Sequence, residues 1–103
     1  MNTPLYVVIS HFEIANGMSD EVKDAFRNRP HRVEQASGFV RMDVLSPVDN
    51  PAQFQLITYW QNQASYENWH HSHAYKDSHQ GMPQGLKLVN TSTSIRVFEH
   101  VTS

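Results

Sequence analysis

The chain has 103 residues, 39% hydrophobic and 17% charged, with a net charge of −2 at pH 7. That is the size of one domain, too polar for a membrane protein and too varied in composition for a disordered one. No run approaches the ~20 apolar residues of a membrane span. The basic residues form no patch for nucleic acid, and the absence of cysteine excludes disulfides, thiolate metal sites and cysteine nucleophiles. The opening Met1-Asn2-Thr3-Pro4 lacks the pattern of a signal peptide. The expectation is a single domain over 1–103, cytoplasmic, with neither nucleic acid nor membrane as a partner.

Leu5 to Ile14 reads as the first strand. Tyr6, Val8, Phe12 and Ile14 share one face, with Ser10 as its only polar member, while Leu5, Val7 and Ile9 make the other face apolar too. A strand apolar on both faces is covered on both sides. Asn16-Gly17 marks a turn, and Ser19 is the expected N-cap of a helix opening with Asp20 and Glu21. Val22, Ala25, Phe26 and Val33 keep a helical stripe that Pro30 interrupts near Arg29 and Gly38 ends.

Phe39 to Leu45 is the second strand, and Gln53 to Trp60 the third. Between them Ser46-Pro47-Val48-Asp49-Asn50-Pro51 forms a turn, so the two strands pair as a hairpin. Asn62 caps a second helix expected over 63–79, with Ala64, Tyr66, Trp69, His73 and Ala74 inward. A loop follows at 81–85. Thr91 to Val101 is the last strand, Ile95, Val97 and Val101 alternating with Arg96 and His100.

The order β-α-β-β-α-β predicts an α+β, ferredoxin-like sandwich. Two helices cover only one face of a four-stranded sheet. The apolar residues on the other face therefore predict a partner, most simply a second copy of the chain.

The chemistry concentrates in one stretch. The third strand ends in Trp60, a second Trp follows at 69, and four of the seven histidines fall at 70, 71, 73 and 79. This arrangement resembles the antibiotic biosynthesis monooxygenase (ABM) superfamily, and its spacing is closest to the haem-degrading monooxygenases. Ser37-Gly38-Phe39 resembles the link between the first helix and the second strand in that family. The resemblance implies a dimeric α+β barrel with a pocket between sheet and helices in each subunit. It implies haem as cofactor and substrate, with His79 ligating the iron and Trp69 pressing on the porphyrin. The family's Asn on the first strand is Ser10 here, a shorter hydroxyl donor.

Independently of the family, neutral imidazole is a good iron ligand, and a large aromatic gives an apolar pocket its shape. Taken alone, Trp69 reads first as helix-to-sheet core, His79 as a surface or capping residue, and Ser10 as a core hydroxyl. His70 and His73 share a helix face, but no further ligand stands at a fixed spacing, so a zinc site is not expected. Gly-rich phosphate loops and the Gly-x-Ser-x-Gly elbow are absent.

Three readings follow. The first is a haem-binding, haem-degrading monooxygenase using Trp69 and Ser10, with His79, Trp69, Tyr66 and Tyr75 around the cofactor and an electron donor as partner. The second is a cofactor-independent oxygenase of a phenolic or quinol-like ring. The third is a non-catalytic dimeric binding or stress-response module, which predicts a pocket filled by its own side chains.

Overall fold

The computed structural model describes residues 4–29, 32–73, 75 and 82–103. Pro30, His31, Ala74, His79 and Gly81 lie outside the described residues. Four strands form one antiparallel sheet: β1 (Tyr6–Glu13), β2 (Phe39–Leu45), β3 (Gln53–Trp60) and β4 (Ser94–Glu99). Their order is β2-β3-β1-β4. Helices α1 (Ser19–Arg27) and α2 (Gln63–His70) complete the α+β, ferredoxin-like arrangement.

The hairpin strands β2 and β3 match their predicted limits. The outer elements are shorter than predicted. β1 loses Ile14 to an isolated bridge with Leu88. β4 begins at Ser94 rather than Thr91, because Thr91 has φ +67° and the Ser92 hydroxyl donates to Val89 O at 2.7 Å in a local turn. Positive φ is incompatible with extended backbone.

α1 departs from its expected ends. Ser19 is the first helical residue, and Met18 takes the N-cap position without a side-chain hydrogen bond. The stripe does not run on to Gly38. The helix stops at Arg27, and Asn28 Nδ2 donates to Asp24 O at 2.9 Å. Val33 instead belongs to a separate 3₁₀ turn, Val33–Gln35. The break suits Pro30, which has no N–H to continue the ladder.

The predicted cap of α2 is present: Asn62 Oδ1 accepts from Ser65 N–H at 2.9 Å, worth about 1 kcal/mol. The helix is interrupted after His70, and helical backbone resumes at His73 and Tyr75. Ser72 accounts for the break. Its hydroxyl donates to Trp69 O at 2.6 Å and accepts from Tyr75 N–H at 3.1 Å, closing one helical segment and opening the next turn. Ala64 and His73, both expected inward, are exposed. Gly38 sets the position of α2 against β2. It has φ +80°, its carbonyl accepts from Gln61 N–H at 2.8 Å, and a Cβ there would run into Ser65 Oγ.

Two apolar clusters fill the space between sheet and helices. One joins Val8, Val33, Trp60 and Trp69; the other joins Ile14, Val22, Phe26 and Phe54. Ile95 and Val97 alternate with Arg96 on the last strand, as expected. They share the inner face but stay half-exposed because β4 is an edge strand.

The outer face is apolar at its centre. Val7 is buried between its register neighbours Tyr59 and Phe98. The Arg41 guanidinium lies 4.9 Å from the Tyr59 ring centroid, and that of Arg96 lies 5.0 Å from Phe98. Among the described residues no helix is long and apolar enough to cross a membrane.

Candidate active site

A half-open cavity of about 340 Å³ lies between the inner face of the sheet and the helices. It borders both apolar clusters, with Val33 and Trp69 from one and Phe26 from the other. Ser10, Tyr66, Trp69 and Tyr75, four of the five residues singled out from sequence, line it together. The fifth, His79, lies outside the described residues. The cavity is open, which counts against a module whose pocket is filled by its own side chains.

Each wall has a local cause. Trp69 comes from the last turn of α2 and is 9% exposed. The break at Ser72 turns the chain so that Tyr75 meets Trp69 edge-on, with ring centroids 6.0 Å apart. His70 sits between two tyrosines, 5.5 Å from the Tyr66 ring and 4.6 Å from that of Tyr75. Its ring is thus part of the aromatic packing, a role the helical pattern through residue 79 concealed. His71 and His73 are exposed. Among the described residues no group of three His, Asp or Glu is placed to hold a metal ion.

Burial pushes the phenols of Tyr66 and Tyr75 above their ordinary range, and the neighbouring Tyr75, Tyr6 and Glu67 push Tyr66 further. Both therefore keep their protons near neutral pH. They are suited to donate hydrogen bonds and poorly suited to abstract a proton from a substrate.

The floor of the cavity comes from the two central strands. Ser10 of β1 opposes Leu56 of β3, and Val8 opposes Thr58, so Ser10 and Thr58 are diagonal neighbours on one face. The Ser10 hydroxyl has no hydrogen-bond partner among the described residues. Thr58 Oγ1 accepts from the buried Trp60 Nε1 at 2.9 Å.

At the α1 end, Arg29 donates to Phe26 O at 3.0 Å and to Glu34 Oε1 at 2.6 Å, while its buried Nε has no partner among the described residues. Sequence reading missed Thr58 and Arg29. The signal for Thr58 was available: in Phe54-Leu56-Thr58-Trp60 it is the lone polar member of an apolar face, as Ser10 is on β1. Arg29 carried no such signal, because it follows the helix and reaches the cavity only through the turn.

The profile of the antibiotic biosynthesis monooxygenase family matches residues 5–81. The chain belongs to this family. It is 28% identical over 95 residues to a mycobilin-producing haem oxygenase of Mycobacterium tuberculosis, covering 92% of this chain and 88% of the relative. Its fold matches the haem-degrader MhuD of the same organism, solved with two haems in its active site. The TM-score is 0.76 at 26% identity, covering 95% of this chain and 97% of that one. SnoaB, a cofactor-independent oxygenase from Streptomyces nogalater, has the same fold, with a TM-score of 0.76 at 14% identity and coverage of 97% and 96%. Structures of the ABM fold thus include both a haem-degrading and a cofactor-independent enzyme.

Proposed function

We propose that this ABM-family chain is a monooxygenase whose cavity takes haem as ligand and substrate. The observation that carries the reading is Trp69, buried on the helix side of the cavity, with Ser10 on the sheet side of the same cavity. Similarity to a haem oxygenase across 92% of the chain supports it.

The lining suits the faces of a porphyrin: Trp69, Tyr66 and Tyr75 offer aromatic surface, and Ser10 and Thr58 offer hydroxyls. A cavity of about 340 Å³ is near the lower end for ligand pockets. That volume is below what an enclosed macrocycle needs, so the haem reading is supported by the lining residues and the similarity and not by the size of the cavity.

His79 would hold the iron, in keeping with the resemblance, and Trp69 would press on the ring. Bound haem would supply the metal at which dioxygen is activated. The chain's own residues exclude water from the ring, through the apolar walls, and supply donors from the floor. Tyr66 and Tyr75 hold their protons and stay neutral beside the ligand.

Titrating the protein with hemin tests this reading. A Soret band at one equivalent, removed by His79→Ala, is expected. Ser10→Asn, which restores the family's amide, should raise turnover in the presence of a reductant. No Soret band at stoichiometric hemin rejects the haem reading.

A second reading is favoured by the cavity volume and by Ser10: cofactor-independent oxygenation of a smaller phenolic or quinol-like ring. Oxygen uptake with such phenols, in the absence of haem and metal, distinguishes it.

The assembly proposed is a homodimer through the outer face of the sheet. Ile9 and Ile57, both part-exposed on the outer face and flanked by the Arg41–Tyr59 and Arg96–Phe98 stacks, support that surface. Ile57→Lys should convert a dimer to a monomer in sedimentation velocity while leaving the circular dichroism spectrum unchanged. A wild-type monomer at micromolar concentration rejects the proposal.

A further inference from the structure

We infer that Thr58 is a specificity-determining hydrogen-bond donor in the cavity, biased toward that role by Trp60, and that the cavity favours a ligand presenting an acceptor oxygen to it. The inference rests on the reading of the cavity as the reaction site but not on haem.

Trp60 has no exposed surface. An indole N–H can only donate, and a buried donor needs an acceptor. Trp60 Nε1 finds Thr58 Oγ1 at 2.9 Å. That bond fixes the direction of the threonine hydroxyl. With the oxygen accepting from the indole, its own proton must be given elsewhere. The acceptor it has is Val8 O, at 3.5 Å. An O–H···O bond is normally about 2.7–2.8 Å, so this contact is weak and easily exchanged for a better one.

Thr58 lines the cavity. A ligand oxygen placed over the floor at normal distance would therefore receive a proton already pointed toward acceptors. A ligand N–H in the same place would find one of the two lone pairs of that oxygen already taken by the indole. Ser10, diagonal to Thr58, differs in degree. With no partner among the described residues, its hydroxyl is free to donate or accept. The floor thus combines one unengaged hydroxyl with one biased toward donation. Hydrogen bonds to charged acceptors are about twice as strong as neutral ones, so the preference is largest for a phenolate-type oxygen.

The test uses the full chain and 4-nitrophenol, whose phenolate absorbs in the visible while the neutral phenol does not. Spectrophotometric titration gives the affinity for each form and the pKa of the bound probe. Thr58→Val should weaken phenolate binding about tenfold, a bound-probe pKa about one unit above that in the wild type. Thr58→Ser, which keeps the hydroxyl, should restore it. Binding of 4-nitroanisole, which has no ionisable oxygen, should be unchanged throughout.

Thr58→Val also strands the Trp60 N–H. If it fails to fold, the double variant Thr58→Val/Trp60→Phe removes both partners and carries the same comparison against Trp60→Phe alone. Trp60→Phe should itself narrow the preference of the cavity for 4-nitrophenolate over 4-nitroaniline, because both lone pairs of Thr58 are then free to accept. Equal phenolate binding in the folded Thr58→Val or double variant and its parent overturns the inference. So does a folded wild type that binds no 4-nitrophenolate. Neither outcome bears on haem, which the Soret titration reads separately.

Discussion

On the outer face of the sheet several polar side chains find partners of normal length, whereas on the inner face two hydroxyls lack a good acceptor. Outside, Arg41 pairs with Asp43 at 2.6 Å, Gln53 donates to Glu13 at 3.1 Å, and the His11 ring meets Ser92 O at 3.0 Å. Inside, Ser10 has no partner among the described residues, and the Thr58 hydroxyl, which accepts from Trp60 Nε1 at 2.9 Å, donates only to Val8 O at 3.5 Å among the described residues. The same four strands make both faces. The difference teaches that polarity alone does not mark a site. What marks it is a polar group on an apolar wall whose hydrogen-bonding capacity is unused.

The largest effect expected on that contrast comes from the inner wall. Trp69→Ala should cost about 3–5 kcal/mol in urea denaturation, as for other buried large-to-small changes, and abolish hemin binding. Trp69→Phe should keep most of the stability and lose part of the affinity. If Trp69→Ala is as stable as wild type, the inner face is not the packed core described.

Thr58→Val comes next. Leaving the buried Trp60 N–H unpaired should cost about 1–3 kcal/mol, read from the shift in urea midpoint. Thr58→Ser should recover most of it. A neutral Thr58→Val would mean that the indole finds another acceptor, and the bias of Thr58 toward donation would fall with it.

The outer face should respond far less. Arg41→Gln removes an exposed ion pair and a guanidinium–ring contact together, and about 1 kcal/mol or less is expected. A loss as large as that of Thr58→Val would erase the distinction between the faces.

The smallest effect is in alkali. The phenols of Tyr66 and Tyr75 are raised above the ordinary value of 10.0 in the folded protein. The native state then holds their protons to higher pH than the unfolded chain does. Their contribution to stability is complete below about pH 10 and is lost as pH rises through the folded values. Urea midpoints measured from about pH 9 to about pH 11 should fall less steeply in Tyr66→Phe and Tyr75→Phe than in wild type. An unchanged slope would place the two rings in open solvent.

Much of the fold was legible because it depends on local pattern. The limits of β2 and β3 follow from an apolar run on either side of a Pro- and Asn-rich turn. The start of α2 follows from Asn62, whose side chain is suited to a cap. The ends of α1 and α2 were not legible in the same way. Val33 continues the periodicity of α1 yet belongs to a separate turn, and the helical pattern runs past His70 where the Ser72 hydroxyl breaks it. Side-chain hydrogen bonds of this kind compete with the helix and leave no trace in hydrophobic spacing.

The candidate site divides along the same line. Sequence alone determined that Ser10 is a polar exception on an apolar strand and that Trp69 stands where a helix meets a sheet. Those facts depend on alternation and spacing, which every chain carries in its own order of residues. Only the tertiary structure decided that Ser10, Trp69, Tyr66 and Tyr75 face one cavity, that Arg29 reaches it, and that His70 packs between two tyrosines. It alone showed Thr58 beside Ser10 with its hydroxyl turned by Trp60. The registers of separate strands, and the hydrogen bonds across them, are set by the packing of the whole core and not by any one segment.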